Sequence, residues 1–578
     1  DELMVQMFQS DNASSRRDLL TQSYDPAAYI DYTSSEVSLP DFIYKEVLPY
    51  SNYSNERNIP NVIDGLKPVQ RKALFTFLSK NIVADVKVAQ VAAQVAAFTM
   101  YHHGEQSLVE TIVGMAQDHV GVSNINVFRP EGQFGSRLDA PSVHSAARYI
   151  FTGLDAVTRF LFPDTDDAVL SYKLEEGSRI EPEFFVPVIP MALVNGAFGI
   201  GTGWSTSVPL FSPQDLIRVC QAVARGGVPG CEQFTRHLTP WYHGFTGEVT
   251  FVPHKNTFLT RGVMTVSEDG RSIHITELPV GTWTHPFVEQ LEHKWMVNGN
   301  GSGSGSGNAV VPKKRGREKS MSRSRSRSPS VAGAMQKPAA SQEPFDDPNA
   351  GFIFSIERRW TESKVDMILH CDGFKVLRLI SSGMQSSPLW AMLGMQSELR
   401  LNNMHLHDAS GKLRRYESVT DIVAEHAAVR LALYEKRRLY MIAEAEKDRV
   451  VTENKLRFVE DIVSGRLTLA QLPDDDAVVR HLEEHAFAKM PDFGYLLNMS
   501  FRSLNQSRVS RLRSDIDQLT VKIQTLTSQT PSDLWLADLS SLEEGVRAFY
   551  VRREKRYECT LEPEVTTAKR AKKTRTKT

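Results

Sequence analysis

Cysteine is scarce in this chain. Only Cys220, Cys231, Cys371 and Cys559 occur among 578 residues, and no two form a CxxC pair. That spacing argues against a zinc site or a disulfide framework and fits a reducing compartment. No apolar run reaches the roughly 18 residues that suggest a membrane span. The opening "DELMVQMFQSDN" is acidic, lacks an apolar stretch and does not begin with Met. It reads as neither a signal nor a transit peptide, but as a chain that starts inside something longer. Net charge is missing too: 67 Lys and Arg against 69 Asp and Glu leave −2. The total therefore gives no prior for nucleic acid or membrane, and local patches decide. "GAFGIGTGW" is glycine-rich, but no Lys-Ser/Thr follows it and no strand-to-helix setting surrounds it. That excludes a Walker or Rossmann loop, and no ATPase machinery is visible. The acidic runs "PDTDDAV" and "PDDDAVV" come with no further acidic motif and read as solvated loops rather than metal ligands.

At about 150 residues per domain, the length predicts three or four domains. The composition, 41% hydrophobic and 24% charged, is that of a globular protein. Residues 1–26 are polar and read as a connecting segment. Residues 27–207 are dense and mixed, with helical spacing in "PVQRKALFTFLSKN" and "SLVETIVGMAQDHV". Residues 208–418 begin with alternating runs such as "GEVTFVP" and "SIHITELP", which predict half-buried strands. Inside them, residues 298–348 turn Gly/Ser-rich, then basic, then Arg-Ser repetitive, a composition that cannot bury a core and predicts a disordered insertion.

Residues 419–557 read as long helices. Val509, Leu512, Ile516, Leu519, Ile523 and Leu526 alternate in steps of three and four, the a/d seam of a coiled coil. With the compact "FAKMPDFGYLLNMS" between two long helices, the pattern predicts an antiparallel arm with a globular tip, though an ordinary helical hairpin explains the seam as well. Residues 558–578, ending "AKRAKKTRTKT", form a basic tail suited to phosphate contact or nuclear address.

Candidate chemistry lies in residues 27–207. Tyr149 follows Arg148 in "SAARYIFTG". Such tyrosines are ordinarily packing residues, but a held tyrosine is a nucleophile if its phenolate is offset, and Arg148 could stabilise charge on a phosphoryl group under attack. "TMYHHGEQSLVET" sets two histidines before a helix, where they are structural or hold a phosphate. "IDGLKPVQRKALF" concentrates Lys67, Gln70, Arg71 and Lys72 at a helix start, which is also how an exposed basic face looks.

Read in order, "ERNIPNVIDGLKPVQRKALF", "VKVAQVAAQVA", "YHHGEQSLVETIVGMAQ", "NVFRPEGQFGSRL", "AARYIFT", "LFPDTDD", "EPEFFVPVIPMALVNG" and "GIGTGWST" closely resemble the breakage-reunion core of eukaryotic-style type IIA DNA topoisomerases. The likeness is specific over residues 29–209 and weaker to about residue 554. It implies an α+β multidomain fold: a winged-helix DNA-gate domain, a strand-rich tower, and an antiparallel coiled-coil exit gate that dimerises. It implies that Tyr149 attacks a DNA phosphodiester to give a 5′-phosphotyrosyl link in a transient double-strand break, with Arg148 stabilising the transition state. Arg71 and His103 are implied as further phosphate-stabilising residues. Lys67, Tyr101 and Ser107 match DNA-contacting positions, Arg57 lies nearby, and Ile200 matches an isoleucine that wedges between base steps and bends the duplex. Lys412, Arg414 and Arg415 in "GKLRRY" track flanking DNA.

The resemblance further implies a homodimer acting on double-stranded DNA with no membrane role. It implies Mg2+ and ATP, both bound by TOPRIM and ATPase portions whose motifs this sequence lacks, in cis or on a separate partner chain. No metal ligand is expected in this chain. Phe198 stands where relatives usually carry glutamate. A non-catalytic DNA-binding and dimerisation protein is the alternative, and the Arg-Ser repeat in one loop suggests a modification or localisation device. "PKKRGREK" and the tail point to the nucleus, with a mitochondrion or another DNA-containing organelle as the alternative.

Overall fold

The computed structural model describes residues 2–559 except 10–12, 23–24, 26, 34, 140, 227–231, 298–350, 382, 468–474, 491 and 501–504. The expected insertion and basic tail therefore lie outside the described residues, as does the start of "PDDDAVV".

Helix Pro68–Ser79 begins with proline at its first position, where the missing N–H costs nothing, and buries Ala73, Leu74, Phe77 and Leu78. Val88, Val91, Ala92 and Val95 make one apolar stripe on helix Val88–Phe98, and Leu108, Ile112 and Val113 another on Glu105–Ala116. These three helices pack together with Phe77 stacked on Phe128 at 3.9 Å. Short antiparallel pairs flank them: β1 (Val86–Lys87) with β2 (Phe151–Thr152), β3 (Tyr172–Glu175) with β4 (Ser178–Pro182), and β5 (Ala197–Ile200) with β6 (Ser205–Val208).

The next strands form two sheets. β7 (Glu248–Val252) pairs with β8 (Thr257–Arg261). β9 (Val263–Val266) and β10 (Ser272–Glu277) join β11 (Ile353–Arg358) and β12 (Met367–Cys371) in the order β11-β12-β10-β9. β13 (Gln396–Arg400) completes the first sheet as β13-β8-β7. Helix Thr284–Trp295 closes a separate core that runs from Met264 to Met395. β14 (His405–His407) and β15 (Leu413–Arg415) form a last hairpin.

Helix Val419–Val463 starts in a capping box, with Ser418 Oγ accepting from Asp421 N at 3.2 Å and Asp421 Oδ2 accepting from Ser418 N at 3.0 Å. Its 45 residues extend ~68 Å. Helix Gln506–Ser528 runs antiparallel to it, since Arg438 reaches Leu526 while Glu460 pairs with Arg513. Every seam residue from Val509 to Leu526 is buried or half-buried. Phe458, Leu467, Leu482, Phe487, Phe493 and Leu496 form a small core at the far end.

Packing crosses the sequence boundaries at 208 and 419. The main core takes in helix Pro213–Gly226, Met404, Leu406, the first turns of Val419–Val463 and much of the returning helix Pro531–Cys559. Trp535 Nε1 donates to Val188 O at 3.0 Å, seating that last helix in the body. The N-terminal segment also differs from a plain connector. It forms helices Glu2–Phe8 and Ala13–Gln22, because Leu3 and Met7 share a face and meet Leu19, Leu20 and Leu48.

Candidate nucleic-acid interface

Tyr53 and Arg57 lie one turn apart on helix Leu48–Asn58, with the Arg57 guanidinium 5.6 Å from the Tyr53 ring centre. The Tyr53 hydroxyl and His103 Nε2 are hydrogen-bonded at 2.7 Å. Tyr101 meets the His103 ring edge-on at 5.3 Å, and its screened hydroxyl has no hydrogen-bond partner among the described residues. His102 turns away to pair with Glu175 at 2.7 Å. Burial first, then the Arg57 and His102 charges, holds the His103 imidazole below its ordinary value, so the ring is neutral at pH 7. Ser107 lies in the first turn of the helix that follows, where free backbone N–H groups favour anions.

Lys67 is the residue before Pro68, so the helix start fixes its place. Its ammonium is half-buried, burial pulls its pKa down, and no carboxylate pairs with it among the described residues. A partly desolvated cation without a counter-ion favours an anionic ligand. Arg71 is placed differently from these more exposed side chains. It is buried, and its guanidinium binds Asp64 through Nε at 2.7 Å and Nη2 at 3.1 Å, with Leu66 O at 3.1 Å. Asp64 also accepts from Phe185 N and Leu66 N. In this arrangement Arg71 fixes the turn that presents Lys67.

Tyr149 is 66% exposed although its neighbour Ile150 is buried. The chain around it is pinned from both sides: Ala147 O and Ile150 O accept from Ala89 N and Val88 N, and Phe151 pairs with Lys87 and Glu131. The Arg148 guanidinium sits 4.9 Å from the Tyr149 ring centre. Among the described residues, no hydrogen bond or ring contact joins Tyr149 to Arg57, Lys67, Tyr101 or His103, so the expected site residues fall into two groups.

The β5–β6 hairpin stands against helix Leu48–Asn58. A Cβ on Gly199 would lie 2.1 Å from Asn58 O, and one on Gly201 2.2 Å from Asn55 Oδ1, so only glycine allows this approach. Asn55 Nδ2 donates to Thr202 O at 3.2 Å. With Ala197 and Gly199 facing inward, Ile200 points outward at 68% exposure. Phe198 shares its face at 70%. The β14–β15 hairpin adjoins both elements: His405 Nδ1 lies 3.0 Å from Ser205 O on β6, and His407 Nε2 3.4 Å from Asn55 O on the helix. It carries Lys412, Arg414 and Arg415, of which Arg414 pairs with Glu425 at 3.4 Å and Arg415 with Glu417 at 3.2 Å. These arginine pairs are solvent-exposed, hence weak and exchangeable for phosphate.

The profile of the DNA gyrase/topoisomerase IV A-subunit family matches residues 57–301 and 357–540. The chain belongs to this family. It is 33% identical over 554 residues to "DNA topoisomerase 2, mitochondrial" of Dictyostelium discoideum, covering 94% of this chain and 38% of that protein. It is 32% identical to "DNA topoisomerase 2" of Penicillium chrysogenum, covering 93% and 32%. A crystal structure of the Plasmodium falciparum topoisomerase II DNA-binding, cleavage and re-ligation domain superposes with TM-score 0.76 at 28% identity, over 97% of this chain and 71% of that one. The chain thus spans about a third of the length of these curated relatives.

Two side chains that shape this face of the family member, Tyr53 and Asp64, are not among the candidate residues. The four-residue spacing from Tyr53 to Arg57 was available as a signal, whereas nothing in the sequence marks Asp64 as the partner of Arg71. Asp166 of "PDTDDAV" is not a free carboxylate either, since it accepts from Arg430 at 2.6 Å. Among the described residues, no three His, Cys, Asp or Glu side chains gather as a metal site, so the residues present do not fit the implied Mg2+. No described helix is long and apolar enough to cross a membrane.

Proposed function

We propose that this chain is the DNA-cleaving and rejoining portion of a type II DNA topoisomerase, an isomerase working as a homodimer on double-stranded DNA. Tyr149 Oη attacks a backbone phosphorus and loses its proton. The 3′ oxygen leaves and gains one, so a phosphodiester is exchanged for a 5′-phosphotyrosyl bond. Attack by the freed 3′-OH reverses the exchange, and rejoining therefore needs no high-energy cofactor. Arg148 offsets charge on the phosphoryl oxygens. The observation that supports this reading is an exposed tyrosine on a backbone pinned from both sides, with a guanidinium 4.9 Å from its ring.

Lys67, Arg57, His103, Tyr101 and Ser107 hold phosphates of the same duplex in this reading. Lys412, Arg414 and Arg415 follow it outward, and Ile200 wedges between base steps. Residues 27–207 act as the gate, 208–418 as the tower and 419–557 as the arm that dimerises. Mg2+ and ATP are assigned to portions of the enzyme outside these residues. The basic segments address the protein to the nucleus, and the mitochondrial relative keeps an organelle as the alternative. The test is denaturant-trapped covalent DNA adduct formation by the complete enzyme. Tyr149→Phe removes the adduct while duplex binding stays within about twofold; an adduct that persists overturns the assignment.

A further inference from the structure

The β5 strand alternates buried and exposed along its length: Ala197 in, Phe198 out, Gly199 in, Ile200 out. Its inward face is fixed by the backbone contact of Gly199 with Asn58. Phe198 and Ile200 must therefore both point away from the body, and they are 70% and 68% exposed. Among the described residues nothing covers either side chain, yet both stand on the hairpin that packs against the Arg57 helix and adjoins the basic β14–β15 hairpin. Opposite them on β6, Ser207 pairs with Phe198 and Ser205 with Ile200, so the same face carries two apolar side chains on one strand and two hydroxyls on the other.

Residues two apart in a strand are separated by about 6.6 Å. Stacked bases along one DNA strand are about 3.4 Å apart. The two apolar side chains are thus spaced by about two base steps.

We propose that Phe198 is a second DNA-inserting residue, entering the duplex two base steps from Ile200, so that the bend is shared between two unstacked steps. The inference rests on the DNA-gate reading above. Phenylalanine is among the side chains that enter base steps from the minor groove, each insertion exchanging stacking for wider protein contact. Flexible pyrimidine–purine steps unstack most readily, so the preferred site carries two of them at that spacing.

The experiment scans 2-aminopurine through a bound duplex by fluorescence and follows the bend by energy transfer between its ends, using the full chain. Wild type shows two bright positions two steps apart. Phe198→Ala loses one and shows a smaller bend, Ile200→Ala loses the other, and Phe198→Leu keeps both. A single bright position in wild type, or a pattern and bend unchanged in Phe198→Ala, overturns the role of Phe198 while leaving that of Ile200. Absence of duplex binding by wild type overturns the DNA-gate reading itself.

Discussion

Two arginine–tyrosine pairs in this molecule have the same chemistry and opposite surroundings. At the base of the arm, the Arg430 guanidinium lies 4.0 Å from the Tyr434 ring centre and is fully buried. Asp166 accepts from Arg430 at 2.6 Å, and Asp538 accepts from Arg437 at 2.7 Å and from the Tyr434 hydroxyl at 2.8 Å. Burial pushes the Tyr434 phenol well above its usual range, so it stays protonated. At the surface, the Arg148 guanidinium sits 4.9 Å from the Tyr149 ring centre, with no carboxylate bound to either among the described residues. The buried pair finds its counter-charges within the fold and joins the arm to the body. The exposed pair leaves a cation and a hydroxyl for something outside. What separates the two pairs is whether the fold has already satisfied them.

Removing one hydroxyl from each pair puts this difference to its hardest test. Tyr149→Phe lowers covalent adduct formation by at least ~1,000-fold, the loss of its nucleophile, with an unchanged unfolding midpoint. Tyr434→Phe leaves adduct formation intact and shifts the midpoint. Adduct loss in Tyr434→Phe comparable to that in Tyr149→Phe would erase the distinction.

Next in size, Asp166→Asn strands Arg430 without its closest counter-charge and costs about 3–5 kcal/mol of stability in urea unfolding. The same kind of change beside Arg148 has no counterpart among the described residues, because no carboxylate is there to remove.

A buried histidine carries the contrast into pH dependence. Burial, then the Arg137 and Arg553 charges, pushes His119 down to about 4. Its folded value lies below the unfolded one, so its contribution is complete above about pH 6.5 and is lost as pH falls toward 4. Roughly 3 kcal/mol of stability rides on that window. His119→Gln flattens the corresponding part of the stability–pH curve; a slope identical to wild type refutes the assignment.

The smallest effect is at Lys67. Lys67→Met weakens duplex binding severalfold and reduces the salt slope by about 1, without loss of stability, since it removes a half-buried unpaired charge. Binding titrations across a salt series measure it.

The coiled-coil seam was legible from Val509 to Leu526 because its period is written in the chain itself. The core helices were legible for the same reason, and the ordered motifs singled out Tyr149 as a candidate. The partner of Arg71 was not legible: Asp64 lies seven residues earlier, and whether that pair faces water or the core is a tertiary fact. Leu3, Met7, Leu19 and Leu20 gave too faint a stripe in a polar segment, and became a packed face only with Leu48 beneath them. The crossing of the 208 and 419 boundaries had no local signature, because helix Pro531–Cys559 returns to the body from far along the chain.

The contact between Gly199 and Asn58 has one more consequence. Gly199 lies so close to the Asn58 backbone that little can repack there, which holds the hairpin in one register on helix Leu48–Asn58. In the proposed DNA gate, a duplex on this face would meet a caliper whose seats for Ile200 and Arg57 are fixed relative to each other. If Ile200 wedges and Arg57 grips as proposed, the interval between the kink and the phosphate contact is set by the chain and is the same on every DNA sequence.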